Sequence, residues 1–112
     1  MNTNTTAAVD EVFAALADPI RRRATELLAK RPHRAGELAS ALGVSPSVMS
    51  KHLRVLRKHG LVAESHPEVD ARVRIYTLQS AKMRDLRKWL DRAERGWAQQ
   101  LVAFKDHIEK RR

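Results

Sequence analysis

The segment from Val44 to Gly60, VSPSVMSKHLRVLRKHG, constrains the fold more than any other part of this 112-residue chain. Ser45 suits a helix N-cap, Pro46 the first helical position and Gly60 the stop, so one helix has its start, phase and end set by its own residues. At about 100° per residue Met49, Leu53 and Leu56 fall in one narrow arc, while Ser47, Ser50, Lys51, Arg54, Arg57 and Lys58 gather opposite. A shorter helical stretch, Ala35 to Leu42, ends at Gly43 immediately before it. Leu38, Ala39, Leu42, Gly43, Val44 and Met49 then have the spacing of a helix-turn-helix: apolar contacts, a small residue at the crossing, and glycine where the turn needs positive φ.

The two faces of the longer helix suit different partners. The apolar arc docks on other helices, leaving short hydroxyl side chains near the N-terminus and cations further along. An α-helix fits the DNA major groove, small residues let its first turn approach base edges, arginine can grip guanine with two hydrogen bonds, and lysine pairs with phosphate. Ser45 and Pro46 also aim the positive helix end at DNA. Candidate contacts are therefore Ser45, Pro46, Ser47, Ser50, Lys51, Arg54 and Lys58; the competing reading is an ordinary solvated face. Charge bears on the choice, because 22 Lys+Arg stand against 13 Asp+Glu, a net +9. Such a chain favours a polyanionic partner, nucleic acid ahead of a membrane surface. A hydrophobic content of 43% belongs to a folded protein rather than a basic tail.

Around this unit, Val9, Val12, Phe13 and Leu16 predict a helix over Ala7 to Ala17, and Asp18-Pro19 starts another on Ile20, Ala24, Leu27 and Leu28, ending near Arg31-Pro32. Leu61–His66 and Arg72–Leu78 read as strands of a hairpin joined by Pro67–Ala71. From Ser80 to about Ile108 a long helix carries the stripe Met83, Leu86, Leu90, Ala93, Trp97, Leu101, Phe104 and Ile108. The first six residues and Lys110-Arg111-Arg112 are expected to fray. The expectation is one domain over residues 1–112, mainly α with a small β-hairpin wing, in the order α-α-α-α-β-β-α.

Ala14–Arg21 (AALADPIR), Gly36–Ala39 (GELA), Ser50–Leu56 (SKHLRVL), Gly60–Val62 (GLV) and Arg74–Leu78 (RIYTL) together resemble the ArsR/SmtB family of bacterial winged helix-turn-helix repressors, over roughly Val12 to Leu78 with a family-like last helix. The resemblance implies a homodimer on a roughly palindromic operator, reading it with two recognition helices and two wings and usually repressing nearby genes. Arg72 and Arg74 become wing contacts to a flanking minor groove, with plain strand surface charge as the alternative. The expected dimer interface joins both terminal helices through Val9, Val12, Phe13 and Leu16 and through Leu90, Ala93, Trp97, Leu101 and Phe104. Trp89 and Trp97, at helical spacing, fill a core or an interface, and Trp97 is assigned to the interface.

The chain departs from the family's metal sensors. There is no cysteine, and Ala39 and Ala41 stand where Cys-x-Cys would follow Glu-Leu. The zinc pattern of the last helix, begun at Asp91, continues with Ala93, Phe104 and His107, leaving two of the roughly four ligands a stable site wants. His33, His52, His59, His66 and His107 show no ligand spacing, and His52 is expected to pack. No metal or other cofactor is expected, and the sequence leaves the effector unknown. Asp70-Ala71-Arg72 replaces the usual Asp-Gly-Arg at the wing, which predicts a longer, mobile loop. With four glycines, no phosphate-binding loop and no nucleophile–base pairing, the chain reads as no enzyme. No apolar run approaches the roughly 18 residues of a spanning helix, so no membrane association and a cytoplasmic location are expected. The functional expectation is a sequence-specific regulator of double-stranded DNA; the alternative is a winged-helix adaptor that binds protein.

Overall fold

The computed structural model describes residues 3–66 and 72–110. Along them run α1 (Thr3–Ala15), α2 (Pro19–Lys30), β1 (His33–Arg34), α3 (Ala35–Leu42), α4 (Pro46–Lys58), β2 (Val62–Ser65), β3 (Ile75–Leu78) and α5 (Ser80–Lys110). The architecture is mostly helical with a small antiparallel sheet in the order β1-β3-β2, the winged helix-turn-helix class expected. One element is additional. β1 pairs His33 with Tyr76 and Arg34 with Ile75, and its two residues are too few for a period of two to register in the sequence. The terminal helices run from Thr3 and to Lys110, further than the apolar periodicity alone marks them. The wing connection Pro67–Ala71 lies outside the described residues.

The α1–α2 corner accounts for AALADPIR in physical terms. Asp18 Oδ1 accepts the N–H groups of Ile20 at 2.7 Å and Arg21 at 3.2 Å, and Pro19 follows where no N–H is required. Arg21 Nε donates to the Ala15 carbonyl at 2.7 Å and Arg22 Nη1 to that of Leu16 at 2.7 Å. The first turn of α2 thus satisfies carbonyls at the end of α1 that have no partner within their own helix.

Glycine stops both helices of the helix-turn-helix, with φ of 66° at Gly43 and 78° at Gly60. After α3, Val44 N–H reaches the Ala39 carbonyl at 3.1 Å and Gly43 N–H that of Ser40 at 3.3 Å. After α4, Leu61 N–H reaches Leu56 at 2.9 Å and Gly60 N–H reaches Arg57 at 3.0 Å. These are the paired bonds of a Schellman stop, which needs a left-handed residue. Lys82 Nζ, from the first turn of α5, donates to the His59 carbonyl at 2.6 Å, and a Cβ on Gly60 would lie 2.9 Å from that ammonium. Leu38, Met49, Leu53, Leu56 and Leu61 fill the core beneath, and buried Ala39 allows α3 and α4 to approach.

Surface carboxylates knit these corners and make stability depend on acid. Glu37 accepts from the Arg34 N–H at 3.2 Å and from Arg31 Nη2 at 3.1 Å, which holds its pKa below the ordinary 4.5. The hydrogen bond from His59 Nδ1 does the same for Glu11, against opposing burial. At Asp18 burial works upward, but its two N–H donors and the charges of His52 and Arg21 outweigh it. Groups whose folded pKa lies below the unfolded one stabilise above the unfolded value and lose that contribution as pH falls through the folded one. As far as these carboxylates decide it, Tm should be level from pH 7 to about 5 and fall toward pH 3. Glu37→Gln should make the acid fall shallower in thermal melts; an unchanged acid limb would take Glu37 out of the effect.

Candidate nucleic-acid interface

Packing fixes which side of α4 is available. Met49, Leu53 and Leu56 are buried, and Ser47, Ser50, Lys51, Arg54, Arg57 and Lys58 are exposed on the other side, with exposed Ser45 and Pro46 at the head. Ser45 Oγ accepts the Val48 N–H at 3.2 Å and lies 3.2 Å from Ser47 Oγ, so its side chain is committed to fixing where the helix starts. Among the described residues Lys51 and Arg54 make no hydrogen bond or ion pair, leaving both cations available to a ligand. Val48, 39% exposed beside Ser47, adds an apolar side chain to this face that the sequence reading missed because it lies off the Met49–Leu53–Leu56 arc.

The wing strands lie along the later turns of α4. Arg72 and Arg74 are exposed there. Glu64 on β2, cross-strand partner of Tyr76, gathers the local donors: Arg57 Nη1 at 2.6 Å, Tyr76 Oη at 3.1 Å, His66 Nε2 at 3.1 Å and Arg74 Nε at 3.6 Å. Its side chain is only 12% exposed. Burial first, then the adjacent Glu64 charge, push the Tyr76 phenol up, so it stays protonated and donates. Glu64 too was missed from sequence; its partners are brought together by the hairpin, not by any helical or strand period. His52 is half-buried, with Nε2 3.9 Å from Asp18 Oδ1 and Nδ1 3.4 Å from Arg21 Nη1, a packed position at the start of α2.

The residues expected at a dimer interface divide into two sets. Val9 and Val12 are buried within the chain, and Leu16 is half-buried against the same core. Phe13, Leu90, Trp97, Leu101 and Phe104 are 43–68% exposed, with Ala93 half-buried among them. Phe13 meets Trp89 edge-on at 5.4 Å, joining α1 to α5. At the family's sensor positions, Ala39 is buried, Ala41 is exposed, and Asp91 and His107 stand exposed on α5. Among the described residues no three His, Asp or Glu side chains group to hold a metal ion. Zinc or a chelator is therefore expected to leave duplex affinity unchanged in mobility-shift titrations; a stoichiometric zinc site coupled to release would overturn this.

This geometry has counterparts. The model for bacterial regulatory proteins of the arsR family matches residues 18–64, from the Asp18 cap to Glu64. The HTH-type transcriptional regulator Rv2034 of Mycobacterium tuberculosis is 36% identical over 100 residues, covering 89% of this chain and 88% of that protein. The chain belongs to the ArsR family. This ArsR-family protein also superposes on an ArsR-like transcriptional regulator from Rhodococcus sp. RHA1 with a TM-score of 0.75, 32% identity and 98% of each chain covered. A shorter match, 46% identical over 52 residues, relates 46% of the chain to 39% of the transcriptional repressor SmtB homolog of Synechocystis. As an ArsR-family member it is a DNA-binding transcriptional regulator and not an enzyme. No helix among the described residues is long and apolar enough to cross a membrane.

Proposed function

We propose that this ArsR-family regulator is a homodimeric repressor, one folded domain over residues 1–112 in each protomer, that reads a roughly palindromic operator in the cytoplasm without a cofactor. The observation that carries the reading is the open face of α4, where small hydroxyls lie together with Lys51 and Arg54, cations without partners among the described residues, on a helix capped at both ends. Ser47, Ser50 and Arg54 meet base edges and Lys51 the adjoining backbone, with Val48 available to a thymine methyl, while Ser45 and Pro46 seat the first turn. Lys58 and Arg72 meet phosphate, which positions the helix without reading sequence.

Dimerisation is supported by shape and surface. The radius of gyration is 19.1 Å, where about 13 Å suits a compact chain of this length. The accessible surface is 8115 Å², against about 6,200 Å² for a compact monomer of this mass. Much of the excess lies on the distal half of α5, whose residues 94–110 are all exposed and include Trp97, Leu101 and Phe104. Pairing of α5 and the outer face of α1 about a two-fold axis would cover these side chains and set two α4 helices roughly 34 Å apart. The repressor role follows the Synechocystis relative, whose name carries it.

Footprinting on DNA upstream of its own gene, with scrambled duplex as competitor, tests the proposal. Two protected half-sites about one helical turn apart are expected. Equal affinity for scrambled duplex, or a stable complex with protein partners and none with DNA, would favour the adaptor instead.

A further inference from the structure

The wing and the recognition helix share a feature that DNA reading does not require. Glu64 stands between them, in a cleft lined by Ser50, Arg54, Arg57, Arg74 and Tyr76. We propose that Glu64 is an internal competitor of DNA phosphate: it engages Arg57 of α4 and Arg74, the residue before β3, withholds them from the duplex backbone, and so sets how many phosphates each protomer neutralises. It is a positioning residue acting through those two arginines, and the inference rests on the DNA-binding role of this face.

Geometry and screening support the assignment. Arg57 donates to Glu64 at 2.6 Å, and the carboxylate is 12% exposed. The ordinary surface pair Arg31–Glu37 stands at 3.1 Å with side chains 61% and 43% exposed. An ion pair with one member largely shielded from water is screened less than one open to water on both sides. Arg74, 3.6 Å from the other carboxylate oxygen, and His66 at 3.1 Å complete a ring of donors matching what a phosphate group would draw. The guanidiniums of Arg57 and Arg74 are themselves more than half exposed, so they are within reach of a ligand on the α4 face once the carboxylate no longer competes. A clamp between wing and helix needs no charge; a carboxylate there must be desolvated and then neutralised by cations that DNA would otherwise use.

The test is a salt titration of the full chain on scrambled duplex. Glu64→Gln keeps the side-chain size and an oxygen for the Tyr76 hydroxyl but removes the charge. It should steepen the slope of log K against log salt by about 0.9 for each arginine released, and tighten binding roughly fivefold per contact at about 0.15 M salt. Replacing Arg57 and Arg74 by Gln in the Glu64→Gln background should abolish that gain, whereas the same replacements with Glu64 present should barely move the slope. A gain that survives loss of both arginines would come from the missing charge alone and overturn the proposal, as would an unchanged slope in a folded Glu64→Gln protein. Should that variant fail to fold, the arginine variants decide: a slope lowered by about one for either, with Glu64 intact, overturns it. A wild-type chain that binds no duplex would instead bring down the DNA-binding assignment of this face, and the proposal with it.

Discussion

Trp97→Ala is expected to shift the protein from dimer toward monomer and to weaken operator binding in the same proportion. Trp97 is 58% exposed in the protomer and lies between Leu90 and Phe104 on the open stripe of α5, the middle of the proposed interface. Truncating a central buried Trp in an interface typically costs about 2 kcal/mol or more, roughly thirtyfold in the dissociation constant. Within the chain the loss should be small, because substitutions at exposed positions usually change stability by about 0.5 kcal/mol or less. Folding and assembly are thereby separated in one variant. Sedimentation at micromolar concentration, matched with DNA titrations, reads both. A variant that stays dimeric and binds normally would put Trp97 outside the interface, and a monomeric wild type would remove the dimer.

Arg54→Ala is expected to erase discrimination between sites rather than affinity for DNA in general. Arg54 is exposed on α4 in the same row as Ser47, Ser50 and Lys51, with no partner among the described residues. A bidentate arginine–guanine contact contributes about 1–3 kcal/mol of preference for the right base, so the ratio of operator to scrambled affinity should fall roughly five- to 150-fold. Phosphate contacts act on every sequence alike. Equal losses on operator and scrambled duplex would assign Arg54 to the backbone.

What could be read from sequence follows from the range of the forces involved. The limits of α4 were legible because its cap, its first-position proline and its stop are all local: Ser45, Pro46 and Gly60 act on neighbouring backbone groups. Its exposed face was legible for the same reason, since Met49, Leu53 and Leu56 fix the rotation of the helix. β1 was not legible, because His33 and Arg34 are a strand only by virtue of Tyr76 and Ile75 lying alongside. Helical period also cannot say what covers an apolar stripe. Val9, Val12 and Phe13 belong to one stripe, yet the first two face the chain's own core and the third is open. Glu64 escaped notice because its donors, Arg57, His66, Arg74 and Tyr76, come from three separate segments.

The capping of α4 bears on how such a regulator can change its target. Ser45 meets the Val48 and Met49 N–H groups at the start of the helix, the turn through Gly60 and Lys82 meet carbonyls at its end, and its anchoring side chains lie on the buried arc. Ser47, Ser50, Lys51 and Arg54 are left without a part in holding the core together. Exchanges there fall in the class of surface substitutions that leave stability nearly unaltered. A lineage carrying this scaffold can therefore explore new operators through a few codons in one helical face while every intermediate remains folded, so that divergence of regulatory targets is limited by selection on the DNA sites and not by the protein's tolerance of mutation.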